Sequence, residues 1–179
     1  MVKRMLSVLL GISLLLMSCS CSRKGEGTFM RGFDNDQKYA NEQMKILLAA
    51  IANKEADTVK SLFSQNVVSN VENIDESIER LFEYYKGTAP VWDERCPQVV
   101  EGENGEGEKV FVSSSYDVKN SEDYYRISFR ACRIDRADPD NVGIWSLYII
   151  LLKDDPNPRQ VYWGDGKDIL GINIGVVGE

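Results

Sequence analysis

The sequence predicts an α+β domain: three helices at the start of the folded part, packed on one face of an antiparallel sheet. Two observations carry this. Apolar residues recur at helical spacing as far as Tyr85, and beyond Gly87 the period changes from about 3.6 to about 2. The segments separating the alternating stretches are short and rich in turn-forming residues, so neighbouring strands join as antiparallel hairpins.

The first helix is expected to start at Asp34, Asn35 and Asp36, whose side-chain oxygens suit an N-cap, and to bury Ala40, Met44, Leu47, Leu48 and Ile51. A shorter helix from about Ala56 to Phe63 turns Val59, Leu62 and Phe63 inward. The third is predicted from Asn73, with Glu76 placed as in a capping box and Ile78, Leu81, Phe82 and Tyr85 as the buried stripe. Gly87 is expected to stop it.

Strand alternation then places Val110, Val112, Tyr116 and Val118 on one face, followed by Tyr125, Ile127, Phe129 and Ala131. Arg126, Ser128, Arg130 and Cys132 are expected on a solvated face. The segments from Lys119 to Asp123 and from Asp138 to Asn141 read as turns. A further strand spans Val142 to Leu152, another lies around Gln160 to Trp163, and Gly171 to Val177 close the chain.

The strand Val142 to Leu152 breaks the alternation. Trp145, Leu147, Ile149 and Leu151 share one side, yet Ile144, Tyr148, Ile150 and Leu152 make the other apolar as well. A strand apolar on both sides is covered on both sides. The expected outer cover is a second copy or a protein partner, on an interface centred on Tyr148 and Ile150; self-cover by the chain's own terminal segment is the alternative.

The N-terminus has a different grammar. Lys3 and Arg4 precede an apolar run from Met5 to Met17, shorter than the roughly 20 residues of a spanning helix. Leu16-Met17-Ser18-Cys19 follows, with a small residue ahead of a cysteine. This resembles the lipobox of bacterial lipoproteins. The resemblance implies cleavage after residue 18 and a diacylglycerol thioether at Cys19, with palmitate or similar acyl chains. One chain anchors only marginally, so durable attachment needs two or three. The expected organisation is a signal at 1–18, a flexible Gly- and Ser-rich tether at 19–33 and one domain at 34–179. The expected location is the extracytoplasmic face of the cell membrane.

Charge and composition exclude several classes. The full chain has 21 basic and 28 acidic residues, a net charge of −7, and loss of Lys3 and Arg4 takes it to −9. Such a surface does not suit nucleic acid. Histidine is absent, which removes Ser-His-Asp and Cys-His systems and imidazole metal sites.

The order of elements, the helix from Ile74 ending in Tyr84-Tyr85-Lys86-Gly87, and the closing hairpins resemble the nuclear transport factor 2-like, cystatin-like cone fold. Joined to the lipobox, they resemble a family of uncharacterised Firmicutes lipoproteins. The resemblance implies a curved sheet around a long helix with a pocket between them. Its relatives include isomerases and dehydratases as well as non-catalytic binding and dimerisation modules. The Asp-His pairing of those enzymes has no counterpart here.

Candidate ligand-binding residues are Tyr116, Tyr125 and Trp145 on the apolar strand faces, which are core residues first, and Trp163 in the loop Trp163-Gly164-Asp165-Gly166. Arg126 and Arg130, two apart on one strand, either meet an anion together or pair with surface carboxylates. The acidic run from Glu101 to Glu108 lacks the pattern of a calcium loop and reads as a solvated hairpin. Cys96 and Cys132 either form a disulfide or stay as buried thiols. No metal or cofactor is expected. The chain is thus read as a lipid-anchored module that binds a small molecule, peptide or protein without catalysis. The alternative is an isomerase or dehydratase using an Asp or Glu with a Tyr, for which no carboxylate is expected on the apolar face.

Overall fold

The computed structural model describes residues 26–103, 109–157 and 169–175, and side chains within 35–94, 109–157 and 169–175. The chain divides into a unit of Met1–Gly32 and a unit of Phe33–Glu179. Among the described residues, four α-helices, α1 (Glu26–Asn53), α2 (Ala56–Ser61), α3 (Gln65–Asn70) and α4 (Ile74–Tyr84), lead into five strands. These are β1 (Val91–Glu103), β2 (Lys109–Lys119), β3 (Tyr124–Asp135), β4 (Gly143–Leu151) and β5 (Gly171–Ile174), with 3-10 turns at Pro139–Asn141 and Leu152–Asp154 among them. The fold class is α+β.

The sheet runs β1-β2-β3-β4-β5 in sequence order. Its first three pairings are antiparallel, but β5 lies parallel to β4, with Leu147 opposite Ile172. The sheet is therefore mixed, which corrects the all-antiparallel expectation: a long connection from Leu151 to Gly171 permits a crossover that a tight turn would not.

Helix α1 buries Ala40, Met44, Leu47, Leu48 and Ile51, the expected stripe. It starts at Glu26 rather than at Asp34, so the last residues assigned to the tether are helical. Val59, Leu62 and Phe63 are buried as expected. Helix α3 was not foreseen; it is six residues long, and Ser64 caps it by accepting from the Val67 N–H at 3.2 Å. Helix α4 buries Ile78, Leu81 and Phe82 but lacks the expected capping box. Asn73 sits in the left-handed region at φ 60°, and its side chain makes no cap bond.

Two bulges set the faces of β3 and β4. Arg133 is extra between the pairs Val110–Ile134 and Phe111–Cys132, and Trp145 is extra between Ser146–Arg130 and Ile144–Ala131. The second changes the parity of β4, so Ile144 joins Leu147 and Ile149 in the helix-side core. Ile144 also forms a parallel bridge with Phe63, which ties the α2–α3 junction to the start of β4.

The face opposite the helices is not solvated. Arg126, Ser128 and Cys132 are buried there with Ser115, Ser146, Tyr148 and Ile150. Tyr148 and Ile150 are 1% and 0% exposed within the single chain, so no partner surface can centre on them; the chain covers its own sheet. Among the described residues that cover includes Asp155, bonded to Arg126, and Ile169, whose N–H donates to the Tyr148 hydroxyl at 2.9 Å.

Candidate functional site

The sequence-predicted aromatics do not converge. Tyr116 is fully buried on β2, and its hydroxyl donates to Asn41 Oδ1 on α1 at 2.9 Å. It stacks near Phe129 at 6.1 Å and meets the Trp92 ring edge-on at 5.3 Å. Burial, reinforced by the Glu94 charge, pushes its phenol pKa well up, so it stays protonated. Tyr125 lies toward the other helices. Its hydroxyl accepts from the Lys86 N–H at 2.8 Å and donates to the Tyr84 carbonyl at 3.3 Å, while its ring stacks on Tyr85 at 4.7 Å. Trp145 is at the far end of the sheet, where its Nε1–H donates to the Asn141 carbonyl at 2.8 Å and its ring meets Phe111. All three are structural anchors. Trp163 and its loop lie outside the described residues, as do residues 104–108 of the acidic run and the strand expected around Gln160.

Arg126 and Arg130 do not form an anion site. Arg126 is held between Asp117, at 2.8 Å, and Asp155. Arg130 instead lies 4.5 Å over the Phe111 ring. Nor can Cys96 and Cys132 bond: Cys96 pairs with Ser115 and Cys132 with Phe111, on strands flanking β2 and four β2 residues apart. Two strand spacings of about 4.8 Å already exceed the usual disulfide span. Cys132 is a buried free thiol whose pKa burial raises.

Two titratable clusters escaped the sequence reading. Ten residues into α1 the buried Asp36 carboxylate approaches Arg133 Nε at 2.5 Å, without hydrogen-bond alignment. Burial raises the Asp36 pKa despite this neighbour, and it pushes nearby Tyr39 up to about 12. At the β3 end, Asp135 is held down to about 2 by the Asp138 N–H, by Lys109 and by Asn141. These clusters fasten α1 and the 3-10 turn to the sheet.

Among the described residues, an open groove of about 430 Å³ lies between α1 and β1, lined by Gln37, Lys38, Asn41, Glu42, Lys45 and Trp92. Gln37, Asn41 and Lys45 follow at intervals of four, so one helical face supplies them. Across from them, Trp92 and Glu94 share one face of β1, and Glu94 pairs directly with Tyr116. Gln37 Nε2 donates to Glu94 Oε2 at 2.5 Å, and Glu94 Oε1 is buried without a partner. A carboxylate therefore does sit on the inward face, contrary to expectation. It escaped notice because the alternation sought in the sequence began at Val110, on β2, rather than at Val91.

Among the described residues no group of three His, Cys, Asp or Glu is placed to hold a metal, and no helix is long and apolar enough to cross a membrane. A family model described as "Domain of unknown function (DUF5104)" matches residues 45–153, more than half of the chain. The chain belongs to that family. Within the DUF5104 domain fall Lys45, Trp92, Glu94 and Tyr116, whereas Gln37, Lys38, Asn41 and Glu42 precede the matched stretch on the same helix. No curated protein matches the chain.

Proposed function

We propose that the mature protein is a lipid-anchored, extracytoplasmic binding module of cone-like architecture, and that the groove between α1 and β1 takes its ligand. The α1–β1 groove is the observation that carries the reading, because it gathers amide, ammonium, carboxylate and indole groups at one open site. The anchor rests on Leu16-Met17-Ser18-Cys19 behind a short apolar run. The cone-like reading rests on a long helix lying over a bulged sheet.

Glu94 opposite Tyr116 favours a second reading, a pocket enzyme with a carboxylate base and a phenol acid. Against it, the Tyr116 hydroxyl is engaged by Asn41 and one Glu94 oxygen by Gln37, so both groups serve to position α1. Glu94→Gln is expected to leave ligand binding in place, whereas a base would lose turnover with it.

The anchor is tested by expressing the full chain in a bacterium fed an alkyne-tagged palmitate. Wild type is expected to label and to sediment with membranes, and Cys19→Ala to do neither. Labelling of Cys19→Ala at wild-type level would overturn the assignment.

A further inference from the structure

Besides the charged side chains and the buried Glu94 Oε1, neutral polar atoms of the groove are left over once its internal bonds are made. The Tyr116 hydroxyl fixes Asn41 Oδ1, which leaves the Asn41 Nδ2 donor. Gln37 spends its Nε2 on Glu94, which leaves its Oε1 acceptor. Trp92 contributes an indole N–H with no partner among the described residues, while that of Trp145 is spent on Asn141. Asn41 and Gln37 stand one helical turn apart, so a donor and an acceptor lie side by side next to an aromatic surface.

Charge does not dominate this site: Lys38 and Lys45 flank Glu42 on the same helix and are largely offset by it and by Glu94 beneath. An extended peptide is poorly served, because β1 shifts register between Glu94 and Cys96 and again between Cys96 and Val99. Bulges of this kind interrupt the regular backbone that strand addition requires. A ligand is needed whose groups both donate and accept and whose ring presents C–H bonds to an indole. A volume of about 430 Å³ falls among sites for small molecules. Resting on the binding-module reading above, we infer that the groove binds a neutral saccharide of one or two rings, stacked on Trp92 and hydrogen-bonded by Gln37 and Asn41.

The test uses the full chain in lauryldimethylamine oxide, a detergent without a sugar headgroup. Trp145→Phe and Trp163→Phe leave Trp92 as the fluorescent reporter. Glucose, galactose, N-acetylglucosamine, cellobiose, maltose and chitobiose are titrated beside a pool of unstructured decapeptides. At least one saccharide is expected to shift the emission saturably. Asn41→Asp, which keeps the acceptor for Tyr116 but loses the Nδ2 donor, is expected to weaken that binding at least tenfold with an unchanged melting temperature. Trp92→Phe and Trp92→Ala lack the reporter and are read by isothermal titration calorimetry with the same saccharides; the first should weaken binding several-fold and the second abolish it. Peptide binding without saccharide binding would overturn the saccharide and leave the module. Silence from both classes, in a folded chain, would overturn both readings. Saccharide binding that survives Trp92→Ala and Asn41→Asp alike would overturn the site.

Discussion

Arg126 shows how far a single residue can depart from its sequence pattern. Alternation puts it opposite Tyr125 and Ile127 and so in water, yet its side chain is 0% exposed and its partners Asp117 and Asp155 are 14% and 2% exposed. A guanidinium is tolerated there because two carboxylates take its planar fork, one from β2 and one from beyond β4. Nothing local in the sequence pairs Arg126 with Asp155, 29 positions away. Removing one member strands the others in a low-dielectric setting. Arg126→Ala is therefore expected to cost about 3–5 kcal/mol in urea unfolding. A loss below about 1 kcal/mol would place the group at the surface instead. Tyr125 and Tyr116, in contrast, were legible as core aromatics. Only their hydroxyl partners, Lys86, Tyr84 and Asn41, needed the tertiary structure.

Among the elements, those with a strong period were read well and those defined by a junction were not. The stripes of α1 and α4 and the alternation of β2 and β3 follow from their apolar spacing, and the turns at Asn120 and Asp138 from side chains that cap the backbone. Helix α3 is too short for a periodic signal, and the Trp145 bulge leaves no mark in composition. The junction between α2, α3 and β4 depends on Gly143. Its φ is +132°, and a Cβ there would stand 2.5 Å from the Ser64 nitrogen and 2.8 Å from the Phe63 carbonyl carbon. Close by, the Ile144 N–H donates to the Leu62 carbonyl at 2.8 Å, and the Ser64 N–H to the Ile144 carbonyl at 3.1 Å. A methyl group must push apart the backbone that these bonds hold together. Gly143→Ala is expected to destabilise by about 2–4 kcal/mol, through lost bonds and strain combined. Amide exchange should accelerate at Ile144 and Ser64 first; exchange there at the wild-type rate would refute the clash.

At the scale of the whole molecule, the sequence carried the α+β class and the presence of cover on both faces of β4, but not the source of that cover. An apolar run says that water is excluded and is silent on which chain excludes it. The described structure answers from within: Tyr148 and Ile150 form a small buried cluster apart from the main core, directly opposite Ser128 and Arg126 on the neighbouring strand. Tyr148 is further tied by its hydroxyl to the Ile169 backbone, just before β5 returns parallel to β4. Charge placed in this cluster must act on folding rather than on association. Tyr148→Glu and Ile150→Glu are each expected to lower stability by several kcal/mol, the cost of burying an unpaired carboxylate. A dimer interface would behave otherwise: the wild-type melting temperature would rise with protein concentration, and the charged variants would remain folded as monomers. Denaturant melts over a hundredfold range of concentration, read beside sedimentation equilibrium, separate these outcomes. A midpoint independent of concentration, falling sharply in both variants, is the result that self-cover requires.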